Sequence, residues 1–296
     1  MPSAIVVGAG LAGLTIARQL HRANWTITIL EARDRIGGRI QTDCVEGFLL
    51  DHGFQVYLTG YETAGRLLDL TKLKLGAFSA GAFVQMGSKR YRVCDPLRSP
   101  WYSIPLHGLE TLLAPVGSVR DKLGIASFRS RVCRSLPSEL LRNQSISAKD
   151  RLQQMGFSQR IIDRFFRPFF AGIFLDDSLS VSAGMMEFVF RTFSLGRAAL
   201  PALGMQAIPI QLAEELPASS IRLNTTVKSV QEGRVTLSDG QVLSSDCVVV
   251  ATEEPAAKRI LALDRSPHGK APTTRQAMST CCLFLRCAIP PFVRQL

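Results

Sequence analysis

Six residues near the N-terminus constrain this chain more than any others. Gly8-Ala9-Gly10-Leu11-Ala12-Gly13 stands between the apolar run Ala4-Ile5-Val6-Val7 and residues 14–21, where Leu14, Ala17 and Leu20 share one helical face. Thr26-Ile27-Thr28-Ile29-Leu30 then reads as a second strand, with Glu31 at its end. Short apolar runs of this kind suit buried parallel strands. The segment is therefore a complete βαβ unit with a dinucleotide fingerprint in its required context. Gly8 permits the tight turn out of the strand, Gly10 lets a pyrophosphate approach the backbone, and Gly13 lets helix and strand pack closely. The helix N-terminus presents N–H groups to phosphate oxygens. The Glu31 carboxylate can accept from both hydroxyls of an adenosine ribose, and its charge repels a 2′-phosphate. An ordinary glycine-rich turn would have no need of strand, helix, strand and acid in this register.

The next residues, Arg33-Asp34-Arg35-Ile36-Gly37-Gly38-Arg39, add a second glycine pair and three arginines. Here the chain resembles the large family of FAD-dependent amine oxidases, protoporphyrinogen oxidases and phytoene desaturases, whose hallmark is a βαβ unit followed by Gly-Gly-Arg. The resemblance implies non-covalent FAD. By it, Gly8, Ala9, Gly10, Leu11, Ala12, Gly13, Glu31, Ala32, Arg33, Gly37, Gly38 and Arg39 bind the cofactor. A nicotinamide dehydrogenase with the same βαβ unit would not need the second glycine pair, so FAD is expected rather than NAD. Asp51-His52-Gly53-Phe54-Gln55 resembles the family segment that passes the flavin ring, with the backbone of Gly53, Phe54 and Gln55 near the isoalloxazine. Close backbone approach favours glycine. His52 is a candidate proton shuttle, although a histidine beside glycine in a loop is more often structural. No side chain is assigned as a catalytic acid or base.

Composition sets outer limits. The chain has 296 residues, 46% of them hydrophobic, enough for a sizeable core and two domains. Its seven cysteines form no CxxC pair and lie near no histidine at metal spacing, so reduced thiols and no metal are expected. Net charge is +11, and residues 120–167 hold eleven basic against four acidic side chains, a local excess of +7. Such a stretch suits peripheral contact with an anionic membrane, or equally a solvated helical surface. No nucleic-acid motif accompanies it. No apolar run approaches the roughly 18 residues that a membrane span needs. Met1 leads almost directly into the first strand, so no targeting peptide is expected, and the location is expected to be intracellular, in the cytoplasm or peripheral to a membrane.

Further along, residues 61–70 read as a helix, and 77–86 with 89–93 as a hairpin turning at Gly87-Ser88. Asp95-Pro96, Ser99-Pro100 and Ile104-Pro105 mark loops. Helices are predicted over 118–134 and 137–155. Phe165, Phe166, Phe169, Phe170 and Phe174 crowd residues 160–175, either lining a pocket for a large apolar substrate or packing a helical core. Arg164-Phe165-Phe166-Arg167-Pro168-Phe169 resembles segments of desaturase-like family members, and Pro201-Ala202-Leu203-Gly204-Met205 resembles the family's Pro-x-x-Gly-Met element, with Leu203 in place of a second glycine. Short strands separated by Glu232-Gly233 and Asp239-Gly240 turns follow, then a buried strand over 246–252. By the resemblance, Val227 contacts adenine through its backbone.

The expected fold class is α/β, an FAD-binding Rossmann-like domain (1–76 and 205–262) with an inserted α+β substrate domain (77–204 and 263–296). The expected function is that of an FAD-dependent oxidoreductase. It would take a hydride from a small, apolar or amine-bearing, mostly lipophilic substrate, in the manner of a desaturase or protoporphyrinogen oxidase. Complete family members also carry a Gly-Asp at a strand end, and no Gly-Asp dipeptide occurs in this chain. The alternative is therefore a truncated, non-catalytic dinucleotide-binding protein or partner subunit.

Overall fold

The structure, a computed structural model, describes residues 1–53, 55–95, 109–111, 113–142, 144–263 and 281–288. Phe54 lies outside them, as do the proline dipeptides between 96 and 105 and the stretches 264–280 and 289–296. The chain divides into two compact units. The first comprises Met1–Gln55, Arg66–Leu75 and the described residues of Pro201–Ala277, and the second comprises the described residues of Val56–Gly65, Gly76–Leu200 and Met278–Leu296. Val56–Gly65 clusters with the second unit, where Tyr57–Leu58 pairs with Ala198–Leu200.

In chain order the strands are β1 (Ser3–Val7), β2 (Thr26–Leu30), β3 (Thr42–Val45), β4 (Phe48–Asp51), β5 (Tyr57–Leu58), β6 (Gly76–Ala77), β7 (Gly81–Met86), β8 (Lys89–Cys94), β9 (Ala198–Leu200), β10 (Ile221–Arg222), β11 (Val227–Gln231), β12 (Arg234–Leu237), β13 (Val242–Ser244) and β14 (Cys247–Val250). The first unit is built on a parallel sheet in the order β10-β2-β1-β14. Helix α1 (Leu11–Arg22) makes the crossover between β1 and β2. Because alternate strand residues point to opposite faces, β1 serves two cores. Ala4 and Val6 join Leu14 and Ala17 of α1, together with Leu212 of the helix Ala207–Ala213. Ile5 and Val7 join Val235 and Leu237 of the antiparallel meander β11-β12-β13, with Ile260. These four side chains of β1 are at most 4% exposed. This explains why the strand is a continuous apolar run rather than an alternating one.

The second unit is helical, with two small antiparallel sheets, β5-β9-β6 and β7-β8. The β7-β8 hairpin turns at Gly87, whose φ of +60° is a conformation glycine adopts readily. The helix predicted over 137–155 is two pieces, Pro137–Leu140 and Ala148–Gln154. Ser147 interrupts them because its hydroxyl caps the second helix at Asp150 N–H. The helix predicted over 61–70 is likewise split, into Glu62–Leu67 and Leu70–Leu73, with Asp69 capping the latter. Residues 159–174 are helical throughout but widen to a π turn at Ile162–Phe166. Pro168 stands two residues beyond that turn and has no N–H for an ordinary i−4 bond.

The phenylalanine cluster is core. Phe166 and Phe170 are fully buried, and they pack with Phe128, Phe157 and Phe190. Phe128 stacks on Phe190 at 4.6 Å, and Phe157 meets Phe166 edge-on at 4.9 Å. Phe165, Phe169 and Phe174 are half-buried against the same cluster. Of the two readings of this stretch, packing is the one realised.

Two carboxylates tie the helices of this unit together. Asp121, 3% exposed, accepts from Ser118 N–H and hydroxyl in a capping box of the helix Val119–Arg134. It also accepts from Ser158 N–H and hydroxyl, both at 2.8 Å, at the start of the next helical segment. Burial pushes its carboxyl up, but these hydrogen bonds outweigh burial and hold it at about 2. Glu187, on the buried face of Ala183–Leu195, accepts from Arg131 and from Arg151, each at 2.8 Å. Burial raises its carboxyl and the two arginines more than reverse that. Part of the basic excess of residues 120–167 is therefore internal structure. Among the described residues, no helix is long and apolar enough to cross a membrane.

Two outcomes are expected. F166A should lower stability by about 3–5 kcal/mol in urea unfolding, and F165A by clearly less, since Phe165 is only half-buried. Because the folded pKa of Asp121 is depressed, its stabilisation is complete above about pH 4 and is lost as pH falls towards 2. The stability difference between wild type and D121N should accordingly shrink across that window in pH-dependent unfolding.

Candidate functional site

The site is built where β1 runs into α1. Gly8 leaves the strand at φ +102°, and its N–H donates to Leu30 O at 2.8 Å. A Cβ on Gly13 would stand 1.9 Å from Gly8 O, so only glycine lets α1 start this close to the strand. Gly10 is different. Its backbone is extended (φ −75°, ψ −179°), which any residue adopts, and a Cβ there would meet no protein atom within 4 Å. Its missing side chain leaves a cradle open beside the helix N-terminus. Gly10 is also the N-cap of α1 and supplies no side-chain cap. The first N–H groups of the helix, on Leu11, Ala12 and Gly13, are thus available to an outside acceptor.

The second glycine pair closes on the first. Gly37 N–H donates to Ala9 O at 2.8 Å, and Gly10 and Gly37 form a parallel bridge. A Cβ on Gly38 would lie 3.2 Å from Gly10 Cα. Glu31, 7% exposed, accepts from Ala9 N–H at 2.8 Å through Oε2 and from Arg33 N–H at 3.0 Å through Oε1. Each oxygen keeps a lone pair for a further donor. Glu31 therefore braces the turn as well as standing beside it. Ala32 and Arg39 are exposed, and the Arg33 guanidinium reaches Gly38 O at 3.3 Å.

Gln55 fastens the neighbouring loop, its amide donating to Arg39 O at 3.0 Å and to His52 O at 2.8 Å. Gly53 has φ +81°, and a Cβ there would meet nothing within 4 Å. His52 Nε2 bonds Asp43 at 2.7 Å, and Arg35 reaches the same carboxylate at 2.7 Å. These two partners, His52 first, hold the Asp43 carboxyl below its usual range. Val227 is half-buried against the meander core, two residues after Thr225, whose N–H donates to Glu31 O at 2.8 Å. Apart from Phe54, which lies outside the described residues, every sequence-predicted position falls in the first unit. Ala9, Gly10, Gly37 and Gly38 with Glu31 and Arg33 form one connected group.

Sequence patterns missed the anchor of the Pro-x-x-Gly-Met element. Thr42 and Asp51, on β3 and β4, hold it from 154 to 164 residues away in sequence. Met205 N–H donates to Asp51 at 2.9 Å, Gln206 N–H to Thr42 Oγ1 at 3.0 Å, and Thr42 N–H back to Gln206 Oε1 at 3.1 Å. Gly204, at φ +80°, lies where any Cβ would collide with Thr42. No local signal marks Thr42 for this role. Among the described residues, no cluster of three or more His, Cys, Asp or Glu could hold a metal ion.

A family profile described as "Flavin containing amine oxidoreductase" matches residues 11–292. The chain belongs to this family. Its sequence is 54% identical over 52 residues to probable polyamine oxidase 4 of Arabidopsis thaliana, covering 18% of this chain and 10% of that protein. It is 28% identical over 179 residues to protoporphyrinogen oxidase 2, chloroplastic/mitochondrial, of the same plant, covering 60% of this chain and 33% of the relative. An oxidoreductase from Methanosarcina mazei superposes with a TM-score of 0.67 at 17% identity, covering 90% of this chain and 62% of that one. At that identity the likeness establishes the fold, a Rossmann-like domain with an inserted second domain as in this flavoprotein family. The chain spans a tenth to a third of the length of these curated relatives and about three fifths of the solved structure.

The two glycines make a discriminating pair. G13A should destabilise the first unit strongly, since Gly8 O is backbone and cannot move aside. G10A should leave the stability nearly unchanged, within about 1 kcal/mol, because the extended backbone and the open space there admit a Cβ. Thermal unfolding of both variants checks this.

Proposed function

We propose that the first unit binds FAD non-covalently. The observation that carries this reading is the cradle at Gly10, open in the protein, faced by an uncapped helix N-terminus and walled by Gly37-Gly38. Its N–H donors suit a pyrophosphate. Leu11, Ala12 and Gly13 would donate N–H groups to it, with Gly8 and Ala9 shaping the turn. Glu31 would accept from the ribose, with Ala32 and Arg33 alongside. Arg39 would add positive charge, the Gly53–Gln55 segment would lie near the ring, and the Val227 backbone near the adenine. Membership of a flavin-containing family supports the same assignment.

FAD, when bound, supplies hydride acceptance from carbon. We read the chain as serving an oxidoreductase of that general kind, with a small apolar or amine-bearing substrate. Named relatives include polyamine and protoporphyrinogen oxidases, which supports the class of chemistry. The protein's contribution would be to bind, orient and exclude water, with no acid or base assigned. The bond of His52 to Asp43, a carboxylate also held by Arg35, supports a structural role for that residue. With one nucleotide fingerprint in the chain, the electrons would pass on to oxygen, a quinone or another acceptor rather than to a bound nicotinamide.

The visible absorption spectrum of the purified, dialysed protein, with and without added FAD, tests the cofactor. A retained flavin spectrum is expected for wild type. For G10A, affinity for FAD should fall about tenfold or more while the fold is kept, a methyl group having been placed in the binding space. A folded wild-type protein that refuses FAD, or a G10A variant that binds it as well, would sink the assignment. Bleaching of the bound flavin under anaerobic conditions by an amine or lipophilic substrate would then support turnover, and its absence across both classes would favour a non-catalytic role.

A further inference from the structure

Asp43 joins the two segments that enter and leave one hairpin. Strands β3 and β4 pair from Thr42 with Asp51 to Val45 with Phe48. The glycine-pair segment 33–39 precedes this hairpin, and the segment 52–55 follows it. Asp43 Oδ1 accepts from Arg35 Nη1 and Oδ2 from His52 Nε2, each at 2.7 Å. An ionised carboxylate only accepts, so Nε2 of His52 bears a hydrogen. The Gln55 amide makes a second tie, donating to Arg39 O at 3.0 Å and to His52 O at 2.8 Å. His52 N–H donates to Gln41 O at 2.9 Å. His52 is therefore held at its N–H, its carbonyl and its ring, immediately before Gly53.

Alternation along β3 gives its two polar residues different work. Thr42 meets Asp51 and Gln206, and Asp43, on the other face of the strand, meets Arg35 and His52. Global stability does not account for the second arrangement. The Arg35, Asp43 and His52 side chains are 34%, 43% and 43% exposed, and ion pairs this exposed contribute about 0–1 kcal/mol. What the carboxylate does fix is placement, because one short, rigid group grips a side chain from each segment.

We propose that Asp43 is a positioning residue for the cofactor, holding segment 52–55 in a set place against segment 33–39 so that one ligand can engage both. This rests on the reading of the first unit as an FAD site, with the glycine pair on the pyrophosphate side and Gly53–Gln55 on the ring side. A site ordered before binding spends less of its affinity on ordering. A ligand that spans both segments gains from the tie, and one that uses the pyrophosphate side alone does not. ADP-ribose is such a ligand, since it keeps the pyrophosphate and lacks the flavin. Loss of a negative charge would by itself favour both anionic ligands alike. Charge and positioning therefore predict opposite signs for FAD when Asp43 is removed.

Calorimetric titration of the full chain with FAD and with ADP-ribose tests it. In D43A, affinity for FAD should fall about tenfold while that for ADP-ribose is kept or raised. Thermal unfolding of D43A should match wild type, and the visible circular dichroism of its bound flavin at saturation should differ. D43E, which restores the carboxylate, should recover most of the lost FAD affinity. D43A and H52A should not add, the double variant binding FAD about as well as D43A alone. The proposal is overturned if D43A binds FAD as tightly as wild type or more so, if FAD and ADP-ribose are weakened equally, or if the loss merely tracks a lower unfolding temperature. Wild type decides the underlying reading separately. A folded wild-type protein that takes up no FAD removes both, whereas one that binds FAD with D43A unaffected removes the role of Asp43 alone.

Discussion

The first unit depends on a backbone contact that tolerates no side chain. Gly13 lies against the carbonyl oxygen of Gly8, and the 1.9 Å separation a Cβ would have there sets how close α1 comes to β1. That closeness lets Leu14 and Ala17 reach the Ala4 and Val6 side of the sheet. It also places the first N–H groups of α1 next to the open space at Gly10. Packing and anion-binding geometry follow from one steric fact, because the glycine that admits the helix also aims its N-terminus.

Glu31 links that turn to the rest of the sheet. Its carboxylate takes the Ala9 and Arg33 N–H groups, while its own N–H donates to Arg222 O and its carbonyl accepts from Thr225. Four hydrogen bonds converge on one residue at the junction of β2, β10 and the approach to β11. A carboxylate in this position stabilises the turn and still has lone pairs to offer. In the second unit, buried carboxylates do comparable work between helices. Asp121 joins two helix starts, and Glu187 joins three helices through two arginines. Each of these acids is buried with its donors satisfied, the condition under which buried charge is tolerated.

Much of the first unit was legible in the sequence because its signals are local. Strand β1, helix α1, strand β2 and the meander turns at Gly233 and Gly240 follow from apolar runs and turn residues within a few positions of one another. The β7-β8 hairpin was legible for the same reason. The splits at Ser147 and Asp69 were not, since a capping hydroxyl or carboxylate competes with a helical pattern that otherwise continues. The π turn before Pro168 was equally hidden, although the proline supplied its cause.

The sequence by itself determined the βαβ unit, its two glycine pairs and the acid between them, because each requires only short-range stereochemistry. It left open whether Phe166 and Phe170 face a pocket or a core, for periodicity says which side chains share a face and not what covers them. Tertiary structure decided that question by packing Phe166 against Phe128 and Phe190, and Phe170 against Phe190. It also decided the anchoring of Gly204-Met205-Gln206 by Thr42 and Asp51 and the docking of Gly37 on Ala9. The physical reason is that hydrogen bonds and ring contacts between segments distant in sequence depend on the path of the intervening chain, which no local pattern encodes.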